Sequence, residues 1–208
     1  MDGPPVERPL EAPPGHQCAP HGCWAWAGVG ERRALVAAGA ELDVFAPEVG
    51  PGEHSLVELV VQGGADLRDA IEIGWTVSPR KKPDGRPVLL VQRWSRGELL
   101  PGTGGFHPWS SGFAAGMDLS PWIGRSIRVG WRLSERRWWA WFEGAWLGWY
   151  DADDWSPPFR SAGAAQWFGE VFFTGALPTI PMGNGRHARE PGSAQIRSLC
   201  SMGPEDGC

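Results

Sequence analysis

The sequence predicts an all-β protein, an antiparallel sandwich of two sheets, and three observations carry that prediction. The 208 residues include 30 Gly and 20 Pro, so one or the other falls about every four residues, which no helical bundle tolerates. Short segments rich in Val, Ile, Trp and Phe alternate with turn signals at intervals of about ten residues. No apolar stripe of helical period competes with them.

The expected strands, in order, are 23–29, 33–46, 55–62, 70–78, 87–95, 125–134, 136–143, 145–150 and 164–174. Turns separate them at Gly50-Pro51-Gly52, Gly63-Gly64, Pro83-Asp84-Gly85, Pro101-Gly102 and Pro157-Pro158, each pairing residues that punctuate extended chain. Residues 1–22 read as a Pro-rich N-terminal tail, 23–190 as one β-sandwich domain and 191–208 as a polar C-terminal tail. A formal charge of −5 without a basic stripe argues against nucleic acid or an anionic membrane as partner. No apolar run reaches the roughly 20 residues that span a bilayer. Fourteen Trp imply a very aromatic core or an aromatic-lined groove.

The N-terminus, charged and rich in Pro, contains no apolar segment of the kind a secretory signal needs. The four cysteines, Cys18, Cys23, Cys200 and Cys208, sit at the two ends. Two disulfides with three possible pairings, free thiols, or a metal cluster of His16, Cys18, His21 and Cys23 all fit the count. The cluster's spacing is tight and irregular for zinc.

Period-2 alternation assigns side chains to faces. From Ile71 to Val77 the odd positions Ile71, Ile73, Trp75 and Val77 form a buried face, and Glu72, Gly74 and Thr76 share the other. Ile127, Val129, Trp131 and Leu133 divide from Ser126, Arg128, Gly130 and Arg132 in the same way. The segment Gln166 to Phe173 is apolar on both faces, with Glu170 between Phe168 and Phe172. A carboxyl there should be desolvated, which disfavours its ionised form.

Common catalytic motifs are missing from the sequence. The run Gly102-Thr103-Gly104-Gly105 lacks the Lys of a phosphate loop. Asp151, Asp153 and Asp154 only loosely resemble a calcium loop and fit a solvated turn better. The five His are scattered, none placed as an obvious general base. Two strand-borne carboxyls remain, Glu72 and Glu170, each beside a Gly and a Trp.

Ile71-Glu72-Ile73-Gly74-Trp75-Thr76-Val77 resembles the "IEAGW-x-V" stretch of the neprosin family of glutamic peptidases, and Trp167-Phe168-Gly169-Glu170-Val171 resembles its "WGGEV". In the family's order, Ser55-Leu56-Val57 sits where an "FSLSQ"-like strand falls, and Gln92-Arg93-Trp94-Ser95 resembles "YWT". Trp138-Trp139 with Leu147-Gly148-Trp149 matches the paired Trp and following "GYW", and Met182-Gly183-Asn184-Gly185 resembles "MGSG". The likeness spans residues 24–190. It departs at Phe168, where the family has Gly, and at 103–113, which keeps the glycines and Phe of a "TGCYN-x-x-C-GF" segment but neither Cys of plant members. A bacterial-type member is expected.

The resemblance implies a concanavalin-like or jelly-roll-like sandwich with Glu72 and Glu170 catalytic on a concave sheet face. It implies an acid-acting endopeptidase, typically cleaving after proline, with a peptide or protein substrate, no cofactor and no metal, and it implies secretion. One ionised glutamate would take a proton from the attacking water, and the other, protonated, would supply one to the leaving amine. The polar company of Glu72 suggests it as base and Glu170 as acid. Gly74 and Gly169 would let a peptide approach, Trp75, Trp94 and Trp167 are candidates to pack a proline ring, and Asn184 completes the expected substrate-binding set. A non-catalytic sandwich that binds carbohydrate or extended peptide is the alternative.

Overall fold

The computed structural model describes residues 10–109, 112–175 and 180–204, with 10–16 by backbone alone. Thirteen strands are present among them: β1 (Leu10–Ala19), β2 (Gly22–Leu35), β3 (Ala37–Asp43), β4 (His54–Gly63), β5 (Asp69–Val77), β6 (Val88–Ser95), β7 (Glu98–Leu99), β8 (His107–Pro108), β9 (Ser126–Ser134), β10 (Arg137–Phe142), β11 (Ala145–Asp151), β12 (Ala162–Phe173) and β13 (Ile196–Met202). The only helical pieces among the described residues are three-residue 3₁₀ turns.

Two antiparallel sheets form the sandwich. One has the order β1-β2-β12-β4-β5-β6-β7 and the other β13-β3-β9-β10-β11-β8. The core lies between them, and period-2 alternation builds it: Leu59, Val61, Ile71, Ile73, Trp75 and Val77 of the first sheet face Leu42, Ile127, Val129, Trp131, Ala140 and Phe142 of the second. Two indole N–H groups inside this layer find backbone acceptors: Trp75 Nε1 donates to Asp43 O at 2.8 Å and Trp138 Nε1 to Phe159 O at 2.7 Å, while Trp131 Nε1 is buried with no hydrogen-bond partner among the described residues.

The structure extends the sandwich at both ends beyond the expected 23–190. Leu10–Ala19 pairs along β2, so most of the segment read as a tail is an edge strand. Pro13 and Pro14 fall in the register shift between Ala12 and Gly15, a break where a missing N–H costs no ladder bond. Ile196–Met202 likewise pairs with β3. Residues 1–9 and 205–208 lie outside the described residues. A disulfide joins Cys18 to Cys23 across the β1–β2 hairpin, which removes two of the four ligands the metal alternative requires. Cys200 is also disulfide-bonded, and Cys208 lies outside the described residues.

Two further expectations shift. The break expected between strands at 29 and 33 is absent, because β2 runs unbroken through Glu31-Arg32-Arg33 to Leu35. Asp151, Asp153 and Asp154 do not gather into a cation loop. Each pairs with arginine: Asp151 with Arg137, Asp153 with Arg136 and Arg160, and Asp154 with Arg93.

Candidate active site

The face of the first sheet turned away from the core carries the carboxyls. Ladder register fixes its layout. Gln166, Val60, Glu72 and Gln92 lie side by side on β12, β4, β5 and β6. The next row along is Gly28, Phe168, Glu58, Gly74 and Leu90, and the third is Trp26, Glu170, Leu56, Thr76 and Val88. Every residue of β5 is buried, so its polar side chains form the floor of a groove on this face.

Glu72 is 7% exposed. Gln92 Nε2 donates to its Oε2 at 3.0 Å, and the Gln92 carbonyl oxygen accepts from Lys81 Nζ at 3.1 Å. This chain fixes the amide with its N–H toward the carboxyl. The Trp94 indole N–H lies near enough to favour the ionised form as well, although it completes no hydrogen bond. Burial outweighs these donors and, with the charge of Glu170, pushes Glu72 up to about 7; removing a carboxylate from water is the larger effect.

Glu170 occupies the other end of the floor. Its Oε1 lies 3.0 Å from His54 Nε2, and the two side chains are 21% and 26% exposed. The His54 ring stacks on Phe172 with centroids 5.7 Å apart, which holds the imidazole toward the carboxyl. The deep burial expected at Glu170 therefore falls on Glu72 instead. Neither glutamate pairs with Arg128 or Arg132, which stand on β9 in the opposite sheet; Arg128 pairs with Glu143.

Between the two lies a third carboxyl that the sequence reading passed over. Glu58 on β4 is 3% exposed, and its Oε2 has no hydrogen-bond partner among the described residues. Burial and the charges of Glu72 and Glu170 hold it well above the usual carboxylate range. Gly74, its direct cross-strand neighbour, makes the space: a Cβ there would lie 2.6 Å from Glu58 Cα and 2.9 Å from its Cβ.

Of the residues expected to bind substrate, Trp94 faces the groove with Glu72. Gly74 also lies on this face, but the room it clears is filled by Glu58. Trp75 and Trp167 point the other way, into the core between the sheets. Trp75 is fully buried, and Trp167 Nε1 donates to Gly39 O at 3.1 Å. Odd positions of β5 and β12 face inward, so neither ring reaches the carboxyls. Gly169 shares that inward side, where an added Cβ would meet the Met182 side chain at 2.9 Å. Asn184 spends its amide on the 184–194 loop, donating to Gly192 O and accepting from the N–H groups of Arg186 and Ala194.

Two cavities open on the floor. One of about 340 Å³ is lined by Glu72, Trp94, Gln62, Arg68, Gln166 and Phe168. The other, about 310 Å³, is lined by Glu170, Trp26, Val29, Gln166 and Phe168. Phe168, at the position of the family-like Gly, thus stands between them, and Gly28 opposite lets its side chain lie close across β2. Among the described residues no three His, Cys, Asp or Glu side chains gather as a metal site. What the floor offers is proton chemistry: carboxyls of unequal burial with amide and imidazole partners.

The family profile described as Neprosin matches residues 51–202. A search of curated proteins returns no match. Among solved structures, a scytalido-glutamic peptidase with a peptide-based transition-state analogue aligns at 15% identity and a TM-score of 0.45, over 70% of this chain and 63% of that one. SCP-B, a member of the eqolisin family of peptidases in complex with the tripeptide Ala-Ile-His, aligns at 13% identity and 0.43, over 70% and 62%. The carbohydrate binding module CBM66 from Bacillus subtilis aligns at 9% and 0.41, over 79% and 91%. The chain therefore spans less than two thirds of the length of either peptidase.

Proposed function

Because the chain belongs to the neprosin family of glutamic peptidases, we propose that it cleaves peptide bonds with the carboxyls of this groove, acting under acidic conditions and without a metal. The observation that carries the reading is the pair of unlike carboxyls: Glu72, buried and pushed up to about 7, and Glu170, partly exposed and paired with His54. A carboxyl pair that hydrolyses an amide works with one member holding a proton and the other accepting one.

Burial favours the reverse of the roles that polarity alone suggested. Glu170 is the base: it takes a proton from water as the oxygen attacks the scissile carbonyl carbon. Glu72 is the acid: its proton steadies the developing oxyanion and passes to the leaving nitrogen as the C–N bond breaks. The products are a carboxylic acid and an amine. Trp26 and Trp94, one in each cavity, offer flat rings to a proline or other apolar side chain, which supports a preference for proline-containing substrates. At acid pH Glu72 keeps its proton, so activity belongs to that range.

The test is cleavage of a fluorogenic proline-containing peptide between about pH 3 and 7, comparing wild type with Glu72→Gln and Glu170→Gln. The expected result is acid-limb activity lost in both variants by roughly 10²- to 10⁴-fold. A wild type that leaves such peptides intact at every pH contradicts the peptidase reading.

A further inference from the structure

We propose that Glu58 is a third functional carboxyl of the groove, a proton relay that returns the proton from Glu170 to Glu72 after each turnover. The inference rests on the peptidase reading above, and its geometry comes from strand register. Glu58 pairs with Gly74 on one side and Phe168 on the other. Glu72 is two residues before Gly74, and Glu170 two residues after Phe168. Both are therefore diagonal cross-strand neighbours of Glu58, at a Cα separation of about 7–8 Å that long side chains span. Glu72 and Glu170 are not neighbours of each other: Val60 pairs with Glu72 and Gln166, and Gln166 precedes Glu170 by four residues.

The chemistry of a turnover gives such a relay a task. Glu170 begins ionised and ends protonated, because it has taken a proton from water. Glu72 begins protonated and ends ionised, because it has given one to the amine. Passing a proton from Glu170, 21% exposed, to Glu72, 7% exposed, resets both at once. A neutral Glu58 gives its own proton to Glu72 and receives that of Glu170 on its other oxygen. One O–H bond forms at Glu72 and one breaks at Glu170, while Glu58 loses one and gains one and is ready again once its carboxyl group turns over.

The surroundings suit this role. Among the described residues no cation meets Glu58: the charged groups that act on it are Glu72 on β5 and Glu170 on β12, with His54, on its own strand, engaged by Glu170 and Lys81 engaged by Gln92. Most buried polar atoms have a hydrogen-bond partner. Here Oε2 is buried and unpartnered, a vacant acceptor.

The experiment is pre-steady-state cleavage by Glu58→Gln, which preserves size but cannot pass a proton. Its first turnover should run at nearly the wild-type rate, giving a burst of about one product per enzyme. Steady-state kcat should then fall roughly 10- to 100-fold. In Glu58→Ala, added acetic acid should restore part of kcat, which a merely structural role would not allow. Thermal melts of both variants confirm that they fold. Unchanged steady-state kcat in Glu58→Gln, equal losses in first and later turnovers, or no effect of acetic acid on the Ala variant overturns the relay while the peptidase reading stands. An inactive wild type overturns that reading and the relay together.

Discussion

The two outer faces of the sandwich treat their charges in opposite ways. On the second sheet, Trp139, Trp146 and Trp149 cluster with ring centroids 4.8 and 5.8 Å from Trp139. Arg137 lies 4.8 Å over Trp149, and Arg128 5.9 Å over Trp141. Both arginines also meet acids, Asp151 and Glu143. Each of these two cations has a carboxylate, a ring and solvent. On the first sheet, three carboxyls share a floor with amides, one imidazole and one lysine engaged by Gln92. Burying like charges without counter-charges works against folding, and a fold retains such an arrangement where chemistry uses it. Aromatic surface and exposure mark one face, and unsatisfied acidity marks the proposed site.

The sharpest way to break this contrast is substitution. Glu72→Gln should remove peptidase activity by roughly 10²- to 10⁴-fold, while Arg137→Ala on the opposite face leaves kcat unchanged. Peptide hydrolysis assays on purified variants decide the matter, and equal losses on both faces would erase the distinction.

Stability against pH separates the faces next. Glu72 stays protonated in the fold up to about 7, whereas the unfolded chain ionises it near 4.5. Between those values the unfolded chain has released the proton and the folded one has not, so stability falls as pH rises. The loss from this group is of order 3 kcal/mol. Urea unfolding at pH 4.5 and 7.5 should show it, and Glu72→Gln should flatten the profile and be the more stable protein at the higher pH.

Phe168 gives a smaller effect. Truncating it to Ala merges the two cavities, and KM for peptides with bulky side chains should fall by roughly 10-fold or less. A KM that rises would mean the ring itself grips the substrate. Smallest is the change on the aromatic face: Arg137→Ala should alter stability by no more than about 1 kcal/mol, read from the urea midpoint.

Much of this arrangement was legible in the sequence. Alternation alone placed Glu72 and Thr76 opposite Ile71, Ile73 and Trp75, and the strands from 55 to 174 fall where turn residues bracket them. The same alternation turned Trp75 away from Glu72, and the structure puts both Trp75 and Trp167 in the core. Glu58 had the same signal as Glu72, a lone acid among Leu56, Leu59, Val60 and Val61. The family-like motif at Ser55-Leu56-Val57 ends one residue short of it. Other features were beyond local reading. The pairing of His54 with Glu170 joins residues 116 apart and depends on the register of β4 against β12, which no local pattern fixes. The end strands were hidden because Pro-rich and polar segments resemble tails until an exposed sheet edge gives them a ladder.

The central claim is that the groove keeps a carboxyl protonated near neutrality, and a ¹³C NMR titration of glutamate carboxyls tests it most directly. With Glu72→Gln used for assignment, the Glu72 resonance should titrate near pH 7. A Glu72 carboxyl that titrates near 4.5, as in an unfolded chain, would contradict the account.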